Sequence, residues 1–154
     1  MDYLVVKWLH VLFSTLLFGT GIGSAFYLLI TTLTRDVRAV AIVASAVVLA
    51  DWLFTATTVV LQPLTGFWLA HVAGFPLDAA WLRWSIALYV IAVACWLPVV
   101  WLQMKLRRLA QRARRENTSL PMDYWRYFKL WVLLGIPAFF AFVAIFYLMV
   151  VKPA

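Results

Sequence analysis

Residues 130–151 read LWVLLGIPAFFAFVAIFYLMVV, a run of 22 residues that contains no charged side chain. As an α-helix this run would be about 33 Å long, which is enough to cross a hydrocarbon layer of about 30 Å. Its apolar residues are continuous rather than alternating. This argues against a membrane-spanning strand, because a strand in lipid must belong to a closed barrel. The run therefore predicts a transmembrane helix.

Three further apolar runs precede it. Residues 8–34 and 84–104 contain no charged residue, and residues 39–77 contain only Asp51. The composition, with 66% hydrophobic and 12% charged residues, excludes a water-soluble fold, since such folds carry about 25% charged residues. We therefore expect an all-α, polytopic membrane protein with a single domain over residues 1–154. Its four transmembrane helices would form an antiparallel bundle, at roughly residues 3–33, 38–71, 81–108 and 125–151.

The basic residues are concentrated in two of the three connectors between these helices. Cytoplasmic loops of membrane proteins carry an excess of Lys and Arg. We therefore expect both connectors to be cytoplasmic and both termini to lie outside, in a bacterial inner (plasma) membrane. Topology accounts for the charge, so the lipid bilayer is an expected partner and nucleic acid is not. The connector residues are Arg35, Arg38, Lys105, Arg107, Arg108, Arg112, Arg114, Arg115, Arg126 and Lys129.

The two histidines of the chain are candidates for metal ligation. His10 lies near the outer start of the first helix, and His71 lies near the outer end of the second. Because consecutive helices run antiparallel, both imidazoles are expected at a similar depth. There they could bind the iron of a haem b from opposite sides, since neutral imidazole is a good axial ligand. The alternative is that His71 only faces the lipid–water interface.

Two cations and two tryptophans would complete such a haem site. Lys7 lies one turn before His10, and Arg83 begins the third helix on the same side, so both could pair with the haem propionates. The alternative for these cations is contact with lipid phosphates. Trp68 and Trp81 belong to a group of aromatic residues at the same level, which would either form an interfacial belt or stack on the porphyrin.

Polar residues within the second helix are further candidates, because they are costly in lipid. Asp51 lies 20 residues before His71, about 30 Å along the axis, so it belongs to a different site. We expect it to pair with a basic residue or a neighbouring hydroxyl, or else to conduct protons. Gln62 and Thr65 would line a polar path or bond to a neighbouring helix. Small residues in the first helix would serve helix packing, or a ligand lying against bare backbone: Gly19, Gly21 and Gly23.

Several short segments keep a common order and spacing over nearly the whole chain. They are Lys7-Trp8-Leu9-His10, Pro63 with Thr65-Gly66-Phe67-Trp68-Leu69, Trp81-Leu82 and Tyr124-Trp125-Arg126-Tyr127-Phe128. Together these segments resemble the HemJ-type protoporphyrinogen oxidases and, more widely, the CopD/HemJ-like superfamily of small four-helix membrane proteins. The segments Gln62-Pro63-Leu64-Thr65-Gly66 and Cys95-Trp96-Leu97-Pro98 are most similar to an uncharacterised branch of predicted integral membrane proteins.

The resemblance implies haem b bound between the helices, with His10 at the position of the family's first-helix histidine. Two departures argue against protoporphyrinogen oxidation. Ser85 stands where HemJ-type enzymes have a lysine, and Leu134 and Gly135 stand where they have an Asn-Glu pair. His71 would then be a substitute ligand, which is inferred from topology and not from the family.

We therefore expect a membrane-integral haem b protein, of cytochrome b type, that acts in electron transfer or oxidoreduction at the outer face of the membrane. Its partners would be quinol or another small redox substrate, and a redox partner protein or a second copy of the chain. Whether it is itself an oxidoreductase enzyme stays open. The alternatives are a protoporphyrinogen oxidase-like enzyme, or a haem-free copper-handling or accessory membrane subunit. Copper(I) prefers soft ligands, but Met104 and Met122 are expected on one side of the membrane and Met149 on the other.

Overall fold

The computed structural model describes residues 2–153, which contain five α-helices, one π-helical segment and no strand. The α-helices are α1 (Tyr3–Thr34), α2 (Val37–Ala50), α3 (Ala56–Val72), α4 (Ala80–Glu116) and α5 (Met122–Val151). The π segment, Asp51–Thr55, joins α2 to α3 without a break, so the three form one second span, Val37–Val72. The prediction of an all-α protein with four transmembrane helices is confirmed.

Local signals place the first turn between spans. α1 ends at Thr34, and Arg35 adopts a left-handed conformation with φ 60° that stops the helix. Asp36 then caps α2, because its carboxylate accepts hydrogen bonds from the backbone N–H groups of Arg38 and Ala39. This short connector makes α1 and α2 antiparallel neighbours.

The third span is longer than its apolar run predicts. α4 continues to Glu116, about two turns beyond the expected end at residue 108. The predicted boundary marked where charged residues begin, but Lys, Arg, Gln and Ala are good helix formers, so the helix continues past the apolar run. Arg112 and Glu116 form an ion pair of 2.8 Å on this extension. Asn117 ends the helix in a left-handed conformation with φ 52°.

The two ends of the bundle differ in charge. At one end, named the basic end, the Arg35 guanidinium lies 5.6 Å from the ring centre of Trp125, so the first connector lies against the start of α5. At the opposite end, named the far end, the Lys152 ammonium lies 4.6 Å from the ring centre of Phe75. Both basic connectors therefore meet at one end, as the expected topology requires.

The spans follow one another around the bundle. α1 packs on the second span, the second span packs on α4 mainly through α2, and α4 packs on α5 along most of its length. α1 and α5 pack more sparsely. Their contacts include a 2.8 Å hydrogen bond between the buried hydroxyls of Thr32 and Tyr124, and a stack of Phe18 on Phe139 with ring centres 5.9 Å apart. The side of the bundle between α1 and α5 is therefore sparsely packed.

Buried apolar side chains form one group at each end of the bundle. The larger group, at the basic end, joins α1, α2, α4 and α5, and includes Leu28, Val40, Leu106, Tyr124 and Phe128. The smaller group, at the far end, contains Ala70, Trp81 and Leu82. The site residues lie between these groups or at the edge of the second one.

The second span contains an irregular turn in its middle. At Asp51–Thr55 the helix widens to π geometry, and the backbone N–H of Ala56 bonds to the Asp51 carbonyl five residues back. Such π turns are rare and frequently lie at functional sites. Asp51, where this turn begins, is the one charged residue within the four apolar runs of the sequence.

Pro63 interrupts the hydrogen-bond ladder of α3. Proline has no N–H, so it cannot donate to the carbonyl four residues earlier, that of Val59. The Tyr89 hydroxyl of α4 donates a 2.6 Å hydrogen bond to this carbonyl. Tyr89 thus joins α4 to α3 at the place where proline would otherwise leave a backbone group unpaired in lipid.

We expect Tyr89→Phe to lower the free energy of unfolding by about 0.6–1.7 kcal/mol, because the Val59 carbonyl loses its partner. In a Pro63→Ala background Tyr89→Phe should lower the free energy of unfolding by less, since the backbone N–H of the alanine can donate to the Val59 carbonyl. Unfolding in mixed micelles of increasing denaturing-detergent content measures both values. Tyr147→Phe, at a residue that is 63% exposed, is the matched control and should change little. An equal loss in both backgrounds would contradict this account.

Candidate functional site

His10 is held between α1 and α3 by two hydrogen bonds. Its Nδ1 lies 2.8 Å from Thr65 Oγ1, and its Nε2 lies 3.2 Å from Gln62 Nε2. Gly66 makes room for the ring, because a Cβ at this position would lie 3.1 Å from His10 Cε1. Of the two roles expected for Gln62 and Thr65, the structure shows the bond to a neighbouring helix.

These bonds define the tautomer of His10. The Thr65 hydroxyl donates its own proton to the Leu61 carbonyl at 2.8 Å, so its oxygen accepts from His10 Nδ1–H. The Gln62 atom placed against His10 Nε2 is the amide nitrogen, which is a donor, so in this orientation of the amide Nε2 accepts. This assignment makes His10 a neutral imidazole with its proton on Nδ1 and its lone pair on Nε2.

His71 lies away from this group. It is exposed, in the last turn of α3. It follows Gln62 by nine residues, and nine residues turn an α-helix by about 900°, which places it on the opposite side of α3. Within residues 2–153 no hydrogen bond links the two histidines. Their pairing across a haem stays a prediction.

The expected cations and tryptophans divide into exposed and packed residues. Lys7 and Arg83 are exposed and Trp68 is half-buried, so their assignment to haem stays a prediction. Trp81 is 9% exposed and belongs to the far-end core. Its ring packs at 5.4 Å, edge to face, against Phe75. The assignment of Trp81 to haem likewise stays a prediction.

A second group of polar residues surrounds a cavity in the middle of the bundle. The cavity has a volume of about 390 Å³ and is lined by residues of all four spans, most of them apolar. Aromatic rings of α1 and α5 form much of its wall, and a glycine on each of these helices widens it. The lining includes Phe18, Gly21, Gly135, Phe139 and Phe142.

One part of the cavity wall, named the polar end, consists of Asp51, Thr55, Trp96 and Gln103. Thr55, Trp96 and Gln103 are the polar neighbours of the Asp51 carboxyl group. Asp51, Thr55 and Gln103 are 4%, 3% and 4% exposed. Within residues 2–153 no hydrogen bond reaches Asp51 Oδ2, Thr55 Oγ1, Trp96 Nε1 or Gln103 Oε1.

Unpaired polar atoms of this kind are costly, at about 1–3 kcal/mol for each buried group. A group of them beside a cavity indicates a site for a molecule that supplies the missing partners. Asp51 forms no ion pair with any described residue, so of the two partners expected from the sequence only a neighbouring hydroxyl is present, that of Thr55. The Thr55 hydroxyl lies close enough to interact with the carboxyl group, although the two groups do not meet hydrogen-bond geometry.

Sequence reasoning missed the other members of the polar end. Gln103 is a polar residue near the end of the apolar run 84–104, and this was the signal that could have pointed to it. Trp96 carries no such signal, because tryptophan is frequent throughout the chain. The two residues reach Asp51 through the packing of α4 against the second span, which no local pattern reveals.

Metal ligation by a larger set of side chains finds no support in the part of the chain described. No group of three or more His, Cys, Asp or Glu side chains within it could hold a metal ion. A haem would therefore depend on single histidines from separate helices.

Comparison with known proteins gives one family. The family model described as "Predicted integral membrane protein (DUF2269)" matches residues 4–153. This agrees with the uncharacterised branch of predicted integral membrane proteins that the sequence resembles, and it does not confirm a link to the CopD/HemJ-like superfamily. No curated protein and no solved structure matches the chain.

We expect nitrogen NMR of ¹⁵N-histidine-labelled protein to show a neutral His10 with protonated Nδ1 and unprotonated Nε2. Thr65→Val removes the acceptor of Nδ1–H and should shift this signal toward the mixture of tautomers that a free imidazole shows. His71, which is exposed, is the internal control and should not respond. A His10 signal with the proton on Nε2 would contradict the hydrogen-bond assignment.

Proposed function

We propose that this chain, which belongs to the DUF2269 family of predicted integral membrane proteins, binds a small, mostly apolar molecule within the bilayer. The observation that carries this proposal is the cavity whose polar end has unpaired donors and acceptors among the described residues. Its volume of about 390 Å³ falls within the range of about 300–1,000 Å³ that is usual for small-molecule sites. The bound molecule would supply the hydrogen bonds that Asp51 and its neighbours lack.

Access to the cavity is favoured from the lipid. α1 and α5 both line the cavity and pack sparsely against each other, so the cavity has a sparsely packed side toward the bilayer. On this side Gly21 of α1 leaves space, because a Cβ there would meet no described atom within 4 Å. A molecule dissolved in the membrane could therefore enter between α1 and α5 without crossing water.

A photoreactive diazirine analogue of octanol tests this function. We expect its adducts to map to cavity residues such as the buried Trp131 and the half-buried Trp96, and an excess of octanol to prevent them. Gly21→Leu fills the cavity and should abolish this labelling. Gly19→Leu adds the same side chain two residues earlier in α1, at a position outside the cavity lining, and should leave the labelling intact. Labelling that spreads over lipid-facing residues, or that octanol does not reduce, would contradict the proposal.

Haem b is a second candidate, for electron transfer or oxidoreduction, and one observation favours it. Metal-bound histidines usually donate their second ring N–H to a protein oxygen, which fixes the tautomer. His10 does this through Nδ1–H and Thr65, so that Nε2 carries the lone pair that iron would use. Haem b, when bound, would supply one-electron transfer.

The remaining residues fit such a haem only after rearrangement. The Gln62 amide now lies at 3.2 Å from His10 Nε2 and would have to rotate away. His71 faces the other side of α3, so a second ligand from this residue is not provided by the present packing. In the orientation that we propose, with the basic connectors in the cytoplasm, His10 lies in the outer half of the membrane.

A reduced-minus-oxidised visible spectrum of the purified protein, with haem quantified as its pyridine complex, tests this candidate. The haem candidate predicts a low-spin b-type signal near one haem per chain, and its loss in His10→Ala. His71→Ala should convert the signal to high spin if His71 is the second ligand, and should leave it unchanged if another group binds there. Absence of haem after reconstitution with hemin, or an unchanged spectrum in His10→Ala, would contradict haem ligation by His10.

A further inference from the structure

The unpaired atoms around the cavity define the chemistry of its ligand, an inference that rests on the proposed binding function. Asp51 Oδ2 and Gln103 Oε1 are acceptors that need a donor, whereas the indole Nε1–H of Trp96 is a donor that needs an acceptor. Trp131 also lines the cavity, and its Nε1–H is likewise without a partner within residues 2–153. A matching ligand must therefore donate and accept hydrogen bonds at the same place.

We propose that the ligand carries its polar group as a hydroxyl on an aromatic ring, that is, as a phenol or a hydroquinone with an apolar tail. A hydroxyl donates one hydrogen bond and accepts two, so one group can serve the Asp51 carboxyl group and the Trp96 indole together. The ring and the tail would lie in the apolar remainder of the cavity.

Other head groups match fewer of these atoms. An ammonium group has donors and no acceptor, so it would satisfy Asp51 and leave the indole N–H of Trp96 unpaired. A carboxylate or phosphate has acceptors and no donor, so it would satisfy the indole and leave the oxygens of Asp51 and Gln103 facing further oxygens. A ketone or an ether also has acceptors only, so it would leave Gln103 Oε1 without a donor.

The cavity wall favours a ring over a plain chain. Phe18 and Phe142 have their ring centres 6.3 Å apart at a tilt of 57°, and Phe18 also stacks on Phe139. Tyr89 meets Phe142 edge to face at 6.2 Å, on the side of the wall next to α4. A group of rings in stacked and edge-to-face contact offers faces and edges to a further aromatic ring. The tail would then leave toward the loose side between α1 and α5.

The affinity should depend on the hydroxyl more than on the tail. An apolar tail gains little when it moves from lipid into an apolar cavity, because the two environments are alike. The hydrogen bond to Asp51 is to an acid group and is formed away from water, where loss of one partner reduces binding by about tenfold or more. Removal of the hydroxyl hydrogen from the ligand is therefore the most direct test.

Indole ¹⁵N–¹H NMR of the full-length protein in lipid nanodiscs provides a readout at the site. The signals of Trp96 and Trp131 are assigned by the variants Trp96→Phe and Trp131→Phe. The probes are decyl-hydroquinone, its dimethyl ether and decanol. We expect decyl-hydroquinone to shift the Trp96 signal saturably, and the dimethyl ether to bind at least tenfold more weakly.

Protein variants show whether a loss of binding comes from the missing contact with Asp51 or from a change in the fold. Asp51→Asn keeps the shape of the side chain and should weaken the binding of decyl-hydroquinone at least tenfold, with little effect on the binding of its dimethyl ether. Thr57→Val is the matched control, because Thr57 is exposed on the same span and its hydroxyl bonds to its own helix. Unchanged spectra of the other indoles in each variant show that the fold is retained.

The outcomes distinguish this inference from the proposed function. Equal affinity for decyl-hydroquinone and its ether, or no effect of Asp51→Asn, would overturn the hydroxyl assignment while an apolar binding site remains. Tighter binding of decanol than of decyl-hydroquinone would overturn the aromatic part. No saturable shift of the Trp96 signal with any of the three probes would overturn both, and would leave water as the partner of the polar end.

Discussion

A polar group in the hydrocarbon layer must find its hydrogen-bond partner within the protein, because no water is present to supply one. This constraint accounts for the four long helices, whose backbone groups pair internally. It also accounts for Tyr89, which pairs with the Val59 carbonyl that Pro63 leaves free in α3. Irregular backbone is thus tolerated in the second span where a neighbouring helix supplies the missing partner.

The same constraint distinguishes the two polar sites of the bundle. At His10 both ring nitrogens are paired, with Thr65 and Gln62, and the ring is fixed between two helices. Around Asp51 the described residues leave donors and acceptors of several side chains unpaired, next to a cavity and a π turn. The first arrangement leaves only Gln62 Oε1 unpaired, whereas the second leaves atoms of several side chains unpaired beside a cavity. For this reason we assign the binding function to the cavity rather than to His10.

A site inside a membrane must select its ligand differently from a site in water. Burial of an apolar surface contributes little where the surroundings are already apolar. Selection then depends on cavity shape and on the few polar contacts, which are strong in a medium of low dielectric. The cavity meets these conditions. It has a volume of about 390 Å³, a mostly apolar wall with polar groups at one end, and a position beside the sparsely packed side between α1 and α5.

The sequence by itself determined the four spans, their antiparallel order and the position of the basic connectors at one end, because hydropathy and charge act along the chain independently of packing. It also identified Asp51, His10, Gln62 and Thr65 as polar residues that need partners. It could not say which partners they find. Asp51 meets Trp96 and Gln103 only because α4 packs beside the π turn of the second span. His71 lies away from His10 because the packing places the Gln62 and Thr65 face of α3 against α1. These outcomes depend on helix rotation and inter-helix distance, which are fixed by the packing of all four spans together.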